Sequence, residues 1–458
     1  MSKSTTTQCL LFADLLDKPV TARFDLHHGS SDGGALLLKA ADRRLGLIES
    51  LSDSLVDRRQ AGKVDHEQIE LLSQRIYGLA CGYPDCNDAS RLSQDPIHKA
   101  LVGRDPIEGQ DLASQSTLSR FENAAGGKTL YRMGEALAEQ VTERHRRRKR
   151  GRARLVTIDL DVTDDATHGQ QQLSLFNGLY HSWCYLPLLG FVSFDDEPEQ
   201  YLLSAMLRPG NAPTKLGALG MLRRIIDRLR RAFPKARLLV RLDGGFACPE
   251  LFDFLDEQPR LDYVVVIGKN KVLERRARRL MAQVRRLSRA TKRSAQVFGE
   301  CAYAARTWSH KRRVVIKAEV VRLENRKPKN NPRFVVTNLR RVPRSVYRLY
   351  CQRGEIENRI KELQLGLEID RTSCSRFWAN QFRVLLTAAA YVLMQELRLQ
   401  AKHTACRRAQ VWTLRERLLK LGAQVEVSVR RVLLRLPASF PFQDAWCRTA
   451  LALGATVG

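Results

Sequence analysis

Three carboxylates stand out from the 49 Asp and Glu residues of the chain because of the sequence around them. Asp161 lies in an apolar, strand-like run, and Asp243 follows another such run and precedes two glycines. Glu357 lies on a segment with helical periodicity. Carboxylate oxygens are hard ligands that suit Mg²⁺ or Mn²⁺, and such an ion can activate water or a hydroxyl for attack on a phosphate. The three residues therefore predict a metal-dependent phosphodiester chemistry.

The first carboxylate has a rival. In the segment Ile158-Asp-Leu-Asp-Val-Thr163, strand alternation places Asp159, Asp161 and Thr163 on one face. A carboxylate inside a buried strand is costly unless it is paired or bound to a metal. Alternation alone does not separate Asp159 from Asp161, and both stay open as the first ligand.

The third carboxylate belongs to a polar stripe on a predicted helix. At about 100° per residue, one face carries Tyr350, Arg353, Glu357 and Lys361. Glu355 and Glu362 fall on other faces, so we expect each to contribute little to metal binding and cleavage. The alternative interpretation is a surface salt-bridge ladder, since Arg353 and Glu357 are spaced i, i+4, a pair worth about 0.3 to 0.5 kcal/mol.

The charge of the chain points to a polyanionic partner. The 458 residues include 77 Lys and Arg against 49 Asp and Glu, a formal net charge of +28. The cations concentrate in the run 144–154 and in a predicted helix over 274–293. Such an excess is typical of proteins that bind the phosphate backbone of nucleic acids.

Several other classes of protein are disfavoured. No Cys-x-x-Cys pair, Walker A loop or His-Glu-x-x-His motif occurs. The apolar runs are shorter than the roughly 20 residues of a membrane-spanning helix, and the first residues lack the apolar core of a signal peptide. We expect a reduced, intracellular protein that is cytoplasmic, associates with the nucleoid and has no membrane contact.

Strands that alternate with helices must position these residues. Strand-like runs occur at 155–161, 188–194, 201–207, 237–243 and 263–268, with helices predicted at 216–232 and 249–257. This order predicts an α/β fold with a mixed sheet. Asp243 comes at the C-terminal end of its strand, the edge at which open α/β sheets bind ligands.

The remaining segments predict an organisation around this core. A helical N-terminal domain precedes it, and within that domain the segment Ser114–Glu122, with Arg120, reads either as a groove-reading helix or as an ordinary capped helix. The predicted boundaries are 1–140 for the helical N-terminal DNA-binding domain, 141–154 for a basic linker, 155–270 and 343–400 for the two parts of the catalytic core, 271–342 for a basic β-rich insertion, and 401–458 for a helical C-terminal region.

The chain resembles a known family over roughly 155–367. It is similar to the DDE transposases of bacterial insertion sequences, in the branch with a Tyr-Arg-Glu-Lys signature around the third carboxylate. The motifs that carry the resemblance are Asp161-Val-Thr, Thr167-His-Gly-x-Gln171, Arg208-Pro-Gly-Asn211, Arg241-x-Asp243-Gly-Gly-Phe and Tyr350-x-x-Arg353-x-x-x-Glu357.

The resemblance implies a ribonuclease H-like catalytic core. Asp161, Asp243 and Glu357 would then hold the metal, expected to be two Mg²⁺ ions that Mn²⁺ can replace. The implied contacts to DNA are Tyr350, Arg353 and Lys361, and Arg241 is a further predicted contact. The signature usually ends with a lysine seven residues after the glutamate, where this chain has Gln364, so the lysine role is carried to Lys361.

These observations together predict a transposase. It would bind the terminal inverted repeats of an insertion sequence, cut the element's ends by metal-dependent hydrolysis and join the 3′-hydroxyls to double-stranded target DNA. Cutting two ends in one synaptic complex implies a homodimer. Two alternatives stay open, a structure-selective nuclease of the same fold and a DNA-binding regulator without catalysis. Replacing Asp243 would separate the regulator from both enzymes.

Overall fold

A computed structural model describes residues 10–324 and 326–457 of the chain. The chain divides into two compact units, each treated separately below. Unit 1 comprises the described parts of 1–41, 61–119 and 396–458, and unit 2 comprises 42–60 and 120–395.

The strands are numbered in chain order. They are β1 (Leu10–Phe12), β2 (Val20–Ala22), β3 (Gly29–Ser30), β4 (Leu155–Val162), β5 (Asp165–Ala166), β6 (Leu175–Asn177), β7 (Ser182–Tyr185), β8 (Leu188–Phe194), β9 (Tyr201–Met206), β10 (Arg237–Leu242), β11 (Leu261–Ile267), β12 (Ala295–Tyr303), β13 (Arg312–Val321), β14 (Lys329–Asn330), β15 (Arg333–Thr337), β16 (Ala423–Ser428) and β17 (Arg431–Arg435).

The α-helices are numbered in the same way. They are α1 (Leu36–Leu45), α2 (Leu47–Asp53), α3 (Gln68–Cys81), α4 (Ala89–Leu92), α5 (Pro96–Val102), α6 (Gln115–Ala124), α7 (Gly127–Lys149), α8 (Ala218–Ala232), α9 (Pro249–Glu257), α10 (Lys271–Thr291), α11 (Pro343–Cys351), α12 (Glu355–Lys361), α13 (Phe377–Gln400), α14 (Val411–Leu414) and α15 (Gln443–Ala452).

The main sheet of unit 2 is mixed, which confirms the predicted α/β class. Its strand order is β12-β13-β15-β11-β10-β4-β8-β9, with β14 paired to β13. The central strands β4, β10 and β11 run parallel, and antiparallel strands flank them on both sides. The parallel strands are nearly continuous runs of buried apolar residues, as expected where helices cover both faces of a sheet.

Helices cover the sheet and its β9 edge. The apolar side of α8 packs against β4 and β8, where a Cβ on Gly190 would lie only 3.1 to 3.2 Å from side-chain atoms of Leu160 and Ile225. At the edge, Gln381 and Gln395 of α13 accept hydrogen bonds from the backbone NH groups of Leu207 and Leu202, at 2.6 and 3.0 Å. These amide bonds satisfy backbone donors that an open edge strand would leave unpaired.

The predicted insertion over 271–342 is part of the same sheet. β15 pairs antiparallel with β11, and β13 pairs with β15, so the strands extend the central sheet. The strand β12 was not predicted. Because its pattern alternates between half-buried and exposed residues, it lacks the apolar signal of the central strands.

The predicted basic linker over 141–154 is helical over most of its length, since α7 runs to Lys149. Acidic partners compensate the charges that led us to expect a basic linker. Arg146 and Arg147 pair with Glu143, and Arg148 pairs with Glu197. With this neutralisation, the run of cations can continue a helix.

Unit 1 joins segments from both ends of the chain. The strand β16 pairs with β3 and with β17, so the region over 401–458 that was predicted to be helical also contains strands. Asp32 is fully buried and forms ion pairs with His98 and Lys420, at 2.9 and 2.7 Å. Arg415 donates to the carbonyl of Ala80 on α3.

None of the helices in the described ranges has the length and apolar character of a membrane-spanning segment.

Candidate active site

Two of the predicted carboxylates lie at the C-terminal ends of neighbouring parallel strands. In the β4–β10 ladder, Arg237 is opposite Leu155 and Arg241 is opposite Asp159. The same register, continued by two residues, brings Asp243 beside Asp161. Asp161 is the penultimate residue of β4, and Asp243 follows the last residue of β10. The middle of the sheet therefore presents two acidic side chains at one edge.

Asp159 has a different environment. It is fully buried, and both of its oxygens accept hydrogen bonds from Arg241, at 2.8 and 2.6 Å. Gln200 donates to it as well, at 2.8 Å. A buried carboxylate with this many partners is a structural ion pair, and removing one partner would be strongly destabilising. This leaves Asp161 as the carboxylate that faces Asp243.

Arg241 was predicted to contact DNA, but the structure gives it an internal partner. Its guanidinium is buried against Asp159 and donates a further bond to the carbonyl of Leu349. An arginine in this position holds β4, β10 and α11 together. We therefore do not include Arg241 among the proposed DNA contacts.

Asp161 forms an ion pair with Arg353 and has a raised pKa. Arg353 approaches its Oδ1 at 2.8 Å. Burial, opposed by the Arg353 guanidinium and reinforced by the negative charge of Asp243, raises the pKa of Asp161 to about 6. A carboxyl whose pKa is raised by burial and by a neighbouring carboxylate is a common feature of functional sites.

Asp243 is held by a tight turn. Its side chain caps the 3₁₀ turn Gly244–Phe246 by accepting from the backbone NH of Gly245, at 2.9 Å. A Cβ on Gly245 would lie 2.7 Å from the side chain of Thr214, so glycine is needed for that loop to approach. Phe246 is buried and anchors the turn.

The polar stripe of the third motif is not on one continuous helix. α11 ends at Cys351, a 3₁₀ turn covers Gln352–Gly354, and α12 begins at Glu355. Arg353 is buried and lies at Asp161. Tyr350 is half-buried, and burial raises its pKa, with the charges of Arg353 and Asp243 acting on it in opposite directions. The structure thus groups Tyr350, Arg353, Asp161 and Asp243.

Glu357 and Lys361 are exposed on α12. Glu357 lies one helical turn after Arg353, or about 6 Å along the helix axis. Among the described residues, the three predicted carboxylates do not form a group whose ligand atoms all lie within 4.8 Å of one another. The structure therefore brings Asp161 and Asp243 together, and Glu357, on α12, is not part of that group.

Glu362 and Gln364, which follow Lys361, attach this segment to the rest of unit 2. Gln364, within the π-helical turn Glu362–Gly366, donates to Thr163 Oγ1 at 2.9 Å. Glu362 is fully buried and accepts bonds from Arg359 and Tyr391, at 2.9 and 2.7 Å. The expectation that Glu362 contributes little to cleavage stays a prediction. Its burial adds a structural role, because its loss would leave buried donors unpaired.

Sequence reasoning missed Tyr180. It lies in the turn between β6 and β7, and its pKa is raised by burial and by the charges of Asp164, Asp161 and Asp243. No motif marked it.

Arg208 opens the motif Arg208-Pro-Gly-Asn211, and it is buried and donates to the carbonyls of Leu186 and Thr214. A Cβ on Gly210 would collide with the carbonyl oxygens of Cys184 and Leu175, which accounts for the glycine in that motif.

Two other groups of potential metal ligands occur in the described residues, Asp32, Cys81 and His98 in unit 1 and Asp253, Asp256 and His310 in unit 2. A cation already compensates each group. Lys420 pairs with Asp32, and Arg312 pairs with Asp253 and Asp256. Neither group includes a residue of the Asp161 and Asp243 site.

Comparison with known proteins identifies the family of the chain. No curated protein matches the chain. The family model for the transposase DDE domain, group 1, matches residues 12–456, which is nearly the whole length of the chain. The expectation from the sequence motifs is thereby confirmed at the level of the family. The chain belongs to the transposase DDE domain family.

Proposed function

We propose that this protein is the transposase of an insertion sequence and that Asp161, Asp243 and Glu357 carry its DNA cleavage and strand transfer. One observation carries the proposal. Asp161 and Asp243 meet at the ends of parallel strands in the middle of the sheet, and burial together with the negative charge of Asp243 raises the pKa of Asp161. The order β9-β8-β4-β10-β11 of the central strands supports a ribonuclease H-like core.

The donor set fits a hard divalent cation. Asp161 and Asp243 supply carboxylate oxygens at one point, and their mutual repulsion is relieved by positive charge. Arg353 provides that charge in this structure. Glu357, one turn further on α12, would complete the ligand set. When bound, Mg²⁺ or Mn²⁺ would polarise the scissile phosphate and activate the attacking water or 3′-hydroxyl.

The residues of the chain itself position the DNA. Arg353 and Tyr350 lie at the carboxylates, where a guanidinium and a phenol can donate hydrogen bonds to phosphate oxygens. Lys361 is exposed on α12 and adds a cation beside them. If Arg353 moves from Asp161 to a phosphate, another positive charge must take its place at Asp161. Metal binding at Asp161 and the contact between Arg353 and phosphate would therefore be coupled.

The helix α10 supplies a broad contact for the DNA backbone. Its buried side is a narrow stripe formed by Leu273, Ala277, Met281, Val284 and Ser288. The rest of the helix is exposed and carries a series of arginines, namely Arg275, Arg276, Arg278, Arg279, Arg285, Arg286 and Arg289. A helix face of this composition binds phosphates without reading sequence.

Binding to non-cognate duplex DNA is expected to weaken steeply with salt. Each neutralised phosphate contributes about −0.9 to the slope of log K against log salt concentration. We expect a slope steeper than about −3, and the double variant Arg275→Gln, Arg279→Gln should make it shallower by about 2. Fluorescence anisotropy over a salt series measures the slope.

The control removes two exposed cations elsewhere on unit 2, Arg231→Gln with Lys235→Gln on and after α8. This variant should keep the wild-type slope. A wild-type slope shallower than about −3, or an equal change in both variants, would show that α10 does not hold the DNA.

Cleavage is expected to depend on pH through Asp161. Because the pKa of this carboxyl is raised to about 6, it carries a proton below that pH and loses it as the pH rises. Metal binding requires the deprotonated form, so cleavage at fixed Mg²⁺ should increase from pH 5 to pH 7. Raising the Mg²⁺ concentration should move the midpoint to lower pH, since metal and proton compete. A midpoint that does not move with Mg²⁺ in single-turnover rate measurements would remove Asp161 from the ligand set.

Incubation of the purified protein with DNA that contains the element's ends and Mg²⁺ tests the proposed function. We expect cuts at defined ends, followed by joining of the 3′-hydroxyls to a second duplex. Cutting without joining would identify a structure-selective nuclease. Binding without cutting would identify a regulator. Recognition of the ends by the N-terminal region, and a homodimer in the synaptic complex, belong to the same proposal and predict two ends held in one complex.

A further inference from the structure

A small aromatic hairpin projects beside the active site. The β6–β7 hairpin belongs to the sheet β5-β7-β6 of unit 2. This sheet continues the β4–β8 ladder beyond Asp161, because Thr163 donates its backbone NH to Pro187 and Asp165 then pairs with Tyr185. The hairpin is therefore built directly on the strand that carries the first carboxylate.

The hairpin has one buried and one exposed face. Cys184 points inward, and Asn177 donates to the carbonyl of Gly210 at 2.7 Å. On the other face, Phe176 and Trp183 are cross-strand partners whose ring centroids are 6.3 Å apart in an edge-on arrangement. These rings are 53% and 58% exposed, and Leu179 at the tip is 80% exposed. Clustered apolar exposure of this kind marks an interaction surface.

The tip of the hairpin lies next to the strand end that carries Asp161. Tyr180 follows Leu179, and it packs with Val162, the residue after Asp161, against the same buried cluster. Trp183 comes three residues later, on β7.

We propose that the aromatic pair Phe176 and Trp183 stacks on unpaired bases next to the scissile phosphate and so favours DNA ends that are frayed or single-stranded. This inference rests on the proposed function, since it places a DNA end at Asp161 and Asp243. Aromatic rings are sequence-tolerant stacking platforms for bases. The net charge of +28 favours a nucleic acid as the occupant of this face.

Binding without metal tests the proposal independently of cleavage. The probes are a short blunt duplex and the same duplex with a single-stranded extension of about three nucleotides at the 5′ or the 3′ end. We expect the wild-type protein, in EDTA, to prefer one of the extended duplexes by about tenfold, within the range known for stacking on one base. Trp183→Ala and Phe176→Ala should lose most of this preference and keep the affinity for the blunt duplex.

Two further variants separate stacking from folding. Trp183→Phe keeps an aromatic ring and should keep the preference. Trp412→Ala removes another exposed tryptophan, on α14 of unit 1, and should also keep it. Thermal unfolding of each variant shows whether the fold is retained. A 2-aminopurine base in the extension should be quenched by the wild-type protein and less by Trp183→Ala.

Each opposite result has a defined meaning. The proposal is overturned if the wild-type protein does not distinguish extended from blunt duplexes, or if the preference survives in Trp183→Ala. It is also overturned if Trp183→Ala converts a dimer to a monomer in sedimentation and leaves the preference intact, because the hairpin is then a protein interface. Loss of the preference in the hairpin variants, in a protein that never cuts DNA with Mg²⁺, would refute the proposed catalysis and leave the stacking role standing.

Discussion

Replacing Asp243 by asparagine is expected to lower the rate of DNA cleavage by several powers of ten. The side-chain oxygen of asparagine can still accept the bond from Gly245 NH, so the turn at Gly244–Phe246 should be retained. The negative charge is lost, and with it one hard ligand of the metal and its activation of the nucleophile. Single-turnover cleavage of end DNA with Mg²⁺ measures the effect.

The matched control for this variant is Asp227→Asn, which removes an exposed aspartate on α8. Both variants should bind DNA in EDTA as the wild-type protein does and should unfold at similar temperatures. If Asp243→Asn cuts at the wild-type rate, the carboxylates do not carry the chemistry, and the regulator becomes the better interpretation.

Glu357→Gln is expected to cause a comparable loss of cleavage with fold and DNA binding retained. Glu357 is exposed, so the substitution leaves no buried donor unpaired. Glu357 comes four residues after Arg353, which contacts Asp161, so we propose it as the acidic residue of α12 that joins the metal site. The measurement is again the single-turnover cleavage rate at saturating Mg²⁺.

Glu355 provides the matched control within the same helix. It is also exposed, and it accepts only a local bond from Asn358 at 3.2 Å. Since Glu355 and Glu357 are about 200° apart around α12, Glu355→Gln should cut at nearly the wild-type rate. A large loss in Glu355→Gln together with an active Glu357→Gln would contradict the assignment of the third carboxylate.

Glu362→Gln separates a structural effect from a catalytic one. This residue is buried between Arg359 and Tyr391, so we expect a loss of about 1 to 3 kcal/mol in the free energy of unfolding. Cleavage by the protein that remains folded should be close to normal. Chemical denaturation followed by circular dichroism gives the stability, and the cleavage assay is run well below the midpoint.

The central strands could be predicted because their signal is local. The run at Leu188–Phe194 is buried throughout and matches β8 residue for residue, and α9 begins and ends where predicted. The position of Asp243 at a strand end followed from the same apolar runs, whereas Asp161 was expected inside its strand and lies near the end of β4. These features depend on which residues are apolar over short distances, which one sequence displays directly.

The choice between Asp159 and Asp161 could not be made from the sequence. Both residues share a strand face, and what separates them is Arg241, which lies on β10 and pairs with Asp159. This long-range pairing has no local signature. The interruption of the third motif by a 3₁₀ turn is also absent from the pattern, since a helix and a 3₁₀ turn differ by only about 20° per residue. The position of Tyr180 near these carboxylates depends on a hairpin turn, which the sequence pattern also did not show.

The way unit 1 is built has a consequence for the order of synthesis. Asp32 and Ala80 belong to the first part of the chain, whereas their partners Lys420 and Arg415 come from the last part. At about 5 to 20 residues per second, the ribosome needs roughly 20 to 70 seconds to pass from one to the other. All strands of the main sheet emerge in that interval. A message that ends between the codons for Thr337 and Ala423 would therefore yield a chain with every strand of this sheet and an incomplete unit 1.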